Sequence, residues 1–121
     1  MSSIQQRVPG QSHSFSLQGE MRKLREELPS ASARIARTLV KDGPLTMTLV
    51  VVRSGGRLHE HRAAGPVTIQ VLEGKIELDV AGECCPLSAG MLLALDAGVP
   101  HAVNSARGGA FLLTVVGPQE A

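Results

Sequence analysis

Hydrophobic positions recur along this chain with two different periods. Over residues 15–28, FSLQGEMRKLREEL, Leu17, Met21, Leu24 and Leu28 fall three or four residues apart with charges between them. That spacing predicts one short helix, stopped by Pro29-Ser30, whose role is packing. Arg22, Lys23, Arg25, Glu26 and Glu27 make its solvated face. From Ala31 onward the period shortens toward two, which is the repeat of a half-buried strand. Arg34–Val40 reads as a loose strand before the turn Asp42-Gly43-Pro44, and Thr46–Arg53 is the clearest strand. Arg57–Arg62, Val67–Leu72, Lys75–Val80, Cys84–Leu87, Met91–Leu95, Val99–Asn104 and Ala110–Val116 follow, separated by Gly- and Pro-containing turns. A tight turn at Glu73-Gly74 is expected to join Val67–Leu72 to Lys75–Val80 as a hairpin with one buried face.

Many short strands at close spacing predict an all-β fold, an antiparallel barrel or jelly roll preceded by the helix. Residues 1–14 lack a period and contain Pro9-Gly10, so they are expected to form a mobile tail with His13 as a bystander. Residues 15–121 are expected to be a single domain, and Met47 and Met91 to fill its core.

The chemistry concentrates near the centre of the chain. His59 and His61 stand two residues apart in an extended segment, so alternation would aim both imidazoles at one point. His101 follows the turn Asp96-Ala97-Gly98-Val99-Pro100. Three converging imidazoles in a β fold suit a divalent transition metal such as iron, manganese, nickel or zinc. Strand alternation puts Arg57 on the same face, where it is a candidate for holding an anionic substrate. Glu60 should face away, and Asp96 should shape the turn before His101.

Composition narrows the field further. The 121 residues carry a net charge of +1 without a basic cluster, which argues against a nucleic-acid partner. With two Phe and neither Trp nor Tyr, there are no stacking platforms and no tyrosine-based catalysis. No apolar run approaches the roughly 20 residues of a membrane span, and no signal peptide is visible, so a cytoplasmic location is expected. Cys84 and Cys85 are adjacent and have no third cysteine to pair with, so both are expected to be reduced thiols.

Two stretches together resemble the motifs of the cupin superfamily of small jelly-roll barrels. Gly55 or Gly56, then His59-Glu60-His61 and Gly74, resemble the first motif. Gly90, Asp96-Ala97-Gly98, His101 and Asn104 resemble the second, with Asp96 where proline is usual and Asn104 one position early. The resemblance implies a single cupin barrel with metal ligands at His59, His61 and His101. The family's carboxylate ligand falls on Val67, which cannot ligate. In that register Val67, Ile69 and Val71 face inward while Thr68, Gln70 and Leu72 face out. The alternative register brings Gln70 to the site as a neutral oxygen ligand.

The resemblance implies a metal-dependent small-molecule enzyme of dioxygenase or isomerase type. The second reading is a non-catalytic barrel that binds a small ligand and has lost its metal. Iron-dependent thiol oxidation, as in some three-histidine members, uses a tyrosine that this chain lacks. A homodimer is expected, because pairing or covering edge strands protects them, with Thr68, Gln70 and Leu72 as candidate interface.

Overall fold

The computed structural model describes residues 12–117, so most of the expected tail lies outside the described residues. Its elements are α1 (Leu17–Glu27), β1 (Arg34–Asp42), β2 (Leu45–Val52), β3 (Gly56–His61), β4 (Val67–Val80), β5 (Glu83–Ser88), β6 (Leu92–Leu95), β7 (His101–Ser105) and β8 (Gly109–Val116). The strands pair in the order β1-β2-β8-β4-β7-β3, with β5 and β6 also on β4, and every pairing is antiparallel.

The expected hairpin at Glu73-Gly74 is corrected by this topology: β4 is one strand of 14 residues. Val67–Gln70 pair with β6, and Val67–Gly74 with β8. Lys75–Val80 then pair with β5, and Glu77–Val80 with β7. The strand therefore passes from one half of the barrel to the other. It does so at a bulge between Val71 and Glu73 and at Gly74, whose φ is +71°. A glycine after a β run looks the same in sequence whether the chain reverses there or only bends.

Alternation along the strands produces two apolar layers instead of one. The barrel interior holds Val50, Val52, Val67, Ile69, Val71, Ile76, Leu78, Val103 and Phe111, all nearly inaccessible to water. The outer face of β1, β2 and β8 is also apolar, through Leu39, Leu49, Val51, Ala110 and Leu112, and α1 covers it with Met21 and Leu24. The packing role read for the helix is what the second layer shows. Ser16 caps α1, its Oγ accepting from Gly19 N at 3.0 Å, a contact worth about 1 kcal/mol. Arg37, on β1, donates to Glu20 and Glu27 at 3.4 and 2.6 Å. The bond to Glu27 is the main cause that raises its pKa, against the opposing effect of burial. Arg25 pairs with Glu73. Part of the charged helix face thus binds the barrel rather than solvent.

Met91 does not fill the core. It is 45% exposed, and its sulfur accepts from Ser88 N and Oγ. Met47 is half-buried beside the helix layer. Among the described residues no helix is long and apolar enough to cross a membrane, and Cys84 and Cys85 are free thiols.

Candidate functional site

Three loops and strand ends meet at one end of the barrel. Gly98 N donates to Ala63 O at 2.9 Å, joining the loop before β4 to the loop before β7. Ala81 N donates to Pro100 O at 3.0 Å, bringing the far end of β4 to the same place. His101 opens β7 there, 2% exposed, paired in register with Val80 on one side and His61 on the other. The imidazoles of His61 and His101 lie with ring centroids 4.3 Å apart at an interplanar angle of 59°.

Both rings are held through the same atom. His101 Nδ1 lies 3.0 Å from Val99 O, and His61 Nδ1 lies 3.4 Å from His59 O. A carbonyl can only accept, so Nδ1 carries the proton in each contact and Nε2 is left free. Burial lowers the pKa of His101 from its usual 6.5, the Val99 contact opposes this, and the charge of His61 adds to the lowering. At neutral pH His101 is therefore an uncharged imidazole whose Nε2 accepts a hydrogen bond.

His59 does not join this pair. Gly56, Arg57 and Leu58 face Ser105, Asn104 and Val103 one to one, but the next matched pair is His61 with His101. Two residues of β3, His59 and Glu60, thus oppose Ala102 alone, which is a β-bulge. Leu58 and His61 share the inner face because the bulge adds a residue between them, Leu58 half-buried and His61 exposed at the barrel end. Arg57 and His59 lie on the outer face, along a depression of about 380 Å³ that Asp79, Glu60 and Ala102 also line. Strict alternation would aim His59, His61 and Arg57 at one point, and the bulge in this register parts His59 and Arg57 from His61.

The barrel interior on this side is apolar. Val67 is 3% exposed and packs in the barrel interior with Leu95, and the partly buried Val80, Val99, Val115 and Ala63 pack against it. Val67, not Gln70, occupies the inward position. Gln70 is exposed on the outer face, opposite Leu92 and Leu112, and so supplies no ligand to the site. Thr68 and Leu72 share that outward face as expected, although Leu72 is partly taken up by the helix layer. Asp96 is exposed and its carbonyl accepts from Val99 N at 3.4 Å, in keeping with a turn-shaping residue.

Thr46 was not singled out by sequence reasoning. It pairs with Val115, which pairs in turn with Val67, and its Oγ1 is buried without a hydrogen-bond partner. Threonine inside an alternating strand carries no sequence signal of such an orphan.

A three-histidine metal centre needs three donors on one point. Among the described residues no group of three or more His, Cys, Asp and Glu side chains is placed to hold an ion. The His61–His101 pair alone does not make that centre.

The match to known proteins agrees with this architecture. Residues 46–117 match the cupin domain family, which spans more than half of the chain, and the chain belongs to that family. No curated protein matches. A conserved protein of unknown function from Streptococcus pyogenes is similar over 99% of this chain and 98% of its own, with 24% identity and a TM-score of 0.70. KdgF from a Halomonas species is similar over 76% of this chain and 84% of its own, with 16% identity and a TM-score of 0.65. Salicylate 1,2-dioxygenase from Pseudoaminobacter salicylatoxidans, solved with gentisate, is similar over 83% of this chain but 30% of its own, with 18% identity and a TM-score of 0.67. At these identities the likeness shows the fold.

Proposed function

We propose that this cupin is a binding module for a small, mainly apolar molecule carrying a hydroxyl or other hydrogen-bond donor. The observation that carries this reading is the His61–His101 ring pair at the end of a barrel whose interior is apolar. A neutral His101 accepts through Nε2, so it favours a donor over a carboxylate, whose oxygens would meet a lone pair. The apolar body of the ligand would rest on Val67, Leu95 and Val99, and the orphaned Thr46 Oγ1 offers a second polar contact at that end of the barrel. The dioxygenase or isomerase reading needs a metal centre that these side chains do not assemble in this arrangement, so binding without catalysis is the better-supported function.

Thermal shift and calorimetry with a panel of small alcohols and phenols, each beside its carboxylic acid analogue, test this. The hydroxyl compounds should stabilise the protein, and His101→Ala should weaken their binding at least about tenfold, as expected for a buried hydrogen bond and its packing. Equal binding by His101→Ala, or a preference for the acids, would remove the reading.

A homodimer and a cytoplasmic location belong to the same proposal. The outer face of β4, β6 and β8 away from the helix shows Thr68, Gln70, Leu92, Thr114 and Val116, without a charge, and Leu92 is 61% exposed. Such a face suits a second copy. Sedimentation equilibrium should return the mass of two chains, and Leu92→Glu that of one. A single-chain mass for the unmodified protein would end the dimer proposal.

A further inference from the structure

The bulge in β3 has a consequence for metal binding that follows from register alone. Leu58 and His61 pair with Val103 and His101, which share the inner face of β7, so both lie on that face, with the His61 side chain exposed at the barrel end. They are three residues apart, which is an odd step. An odd step between two inward positions requires one extra residue, and that residue is what turns His59 out. With one-to-one pairing from His61 backwards, His59 would oppose Val103 and face inward, and Leu58 would face water. The position of the extra residue therefore decides which of two side chains occupies the interior site next to His61.

Three observations favour the arrangement that keeps Leu58 inside. Leu58 is half-buried and packs against the apolar interior cluster, although it also borders the outer depression, whereas His59 is exposed there beside Arg57 and Asp79. The His59 carbonyl, exposed by the bulge, is the partner of His61 Nδ1. The interior at this level is otherwise Val103 and Leu78, next to which a leucine is better solvated than an imidazole.

We propose that the β3 bulge is the element that withholds a third imidazole from this barrel. Leu58 stands in the place that His59 would take, and the interior offers a divalent ion two ligands only. This rests on the two-imidazole reading of the site, but its test needs no small-molecule ligand. The side chain at position 58 decides whether a third ligand joins His61 and His101, and His59 contributes nothing to metal affinity.

The experiment measures the affinity of the untagged protein for cobalt(II) and zinc(II) by competition with a chelating dye. His59→Ala should change affinity by less than about twofold. His61→Ala and His101→Ala should each lose at least about tenfold, since even partners of ligands cost that much. The double variant Leu58→His/His59→Ala should bind at least about tenfold more tightly than the unmodified chain, through positions 58, 61 and 101. A loss on His59→Ala equal to that on His61→Ala would overturn the proposal, and so would no gain in a folded double variant. A second readout needs neither metal nor the double variant. In a background with Cys84→Ser and Cys85→Ser, His59→Cys should react quickly with a thiol reagent and Leu58→Cys slowly. The reverse order would overturn the proposed register whatever the metal data show. Failure of the hydroxyl-ligand assays leaves both comparisons intact.

Discussion

Gly74→Ala is expected to remove a large share of the stability of the barrel. The residue sits where β4 leaves β8 and begins to pair with β5 and β7, at φ +71°. A left-handed backbone costs an L-residue about 1–2 kcal/mol. A Cβ there would also press on the Gly108 carbonyl oxygen and the Gly109 Cα, which are backbone atoms that cannot swing aside. Forced overpacking adds about 1–3 kcal/mol. The sum, about 2–5 kcal/mol, compares with a total of roughly 5–15 for a domain of this kind. Gly82→Ala is the control, since Gly82 also has a positive φ, +87°, but open space where its Cβ would go. It should lose the backbone share alone. Urea denaturation of both variants measures the difference, and equal losses would show that the close approach at Gly74 is not what matters.

Val67→Glu should be the most damaging change at the site. Val67 is 3% exposed among apolar side chains of the barrel interior, and burial lowers the pKa of His101 at the end of that barrel. A carboxylate placed there lacks a charged partner, and an uncompensated buried charge costs about 3–5 kcal/mol. The group would respond by holding its proton, so its pKa in the folded state would rise above the ordinary 4.3 or so. The sign follows from that direction. The penalty is absent below the unfolded pKa, where both states are protonated, and grows as pH rises through the folded pKa. Melting curves from acid to neutral pH should show Val67→Glu falling steadily below Val67→Gln, which cannot titrate. Indistinguishable curves would mean that a cation or an imidazolium meets the new carboxylate. The interior would then hold a charge and not be wholly apolar.

Much of the architecture was legible in the residues. The alternation in Thr46–Arg53 and Ala110–Val116 and the glycines between the short strands predicted an all-β barrel, because a half-buried strand has few other ways to write itself. The spacing of Leu17, Met21, Leu24 and Leu28 predicted a packing helix for the same reason. The inward set Val67, Ile69 and Val71 followed from alternation too, and with it the exposure of Gln70. Local patterns carry these features because each depends on neighbours in sequence.

The features that were misread depend on partners distant in sequence. Whether Gly74 reverses β4 or bends it is decided by β8, whose Gly108 and Gly109 approach closely enough to exclude a side chain. Whether Met91 is core depends on where β6 ends against β4, and it proves exposed. The histidines show the division most sharply. From the chain alone His59 and His61 are equivalent, two residues apart in an extended run. Only the pairing of β3 with β7 inserts a bulge between Leu58 and His61 and parts the two histidines: both are exposed, but His61 lies against the buried His101 and His59 lies on the outer face. The sequence by itself determined the all-β barrel, the packing helix and the histidine-bearing strands. The tertiary structure decided which histidines meet, because strand register is a property of two strands and is written in neither one alone.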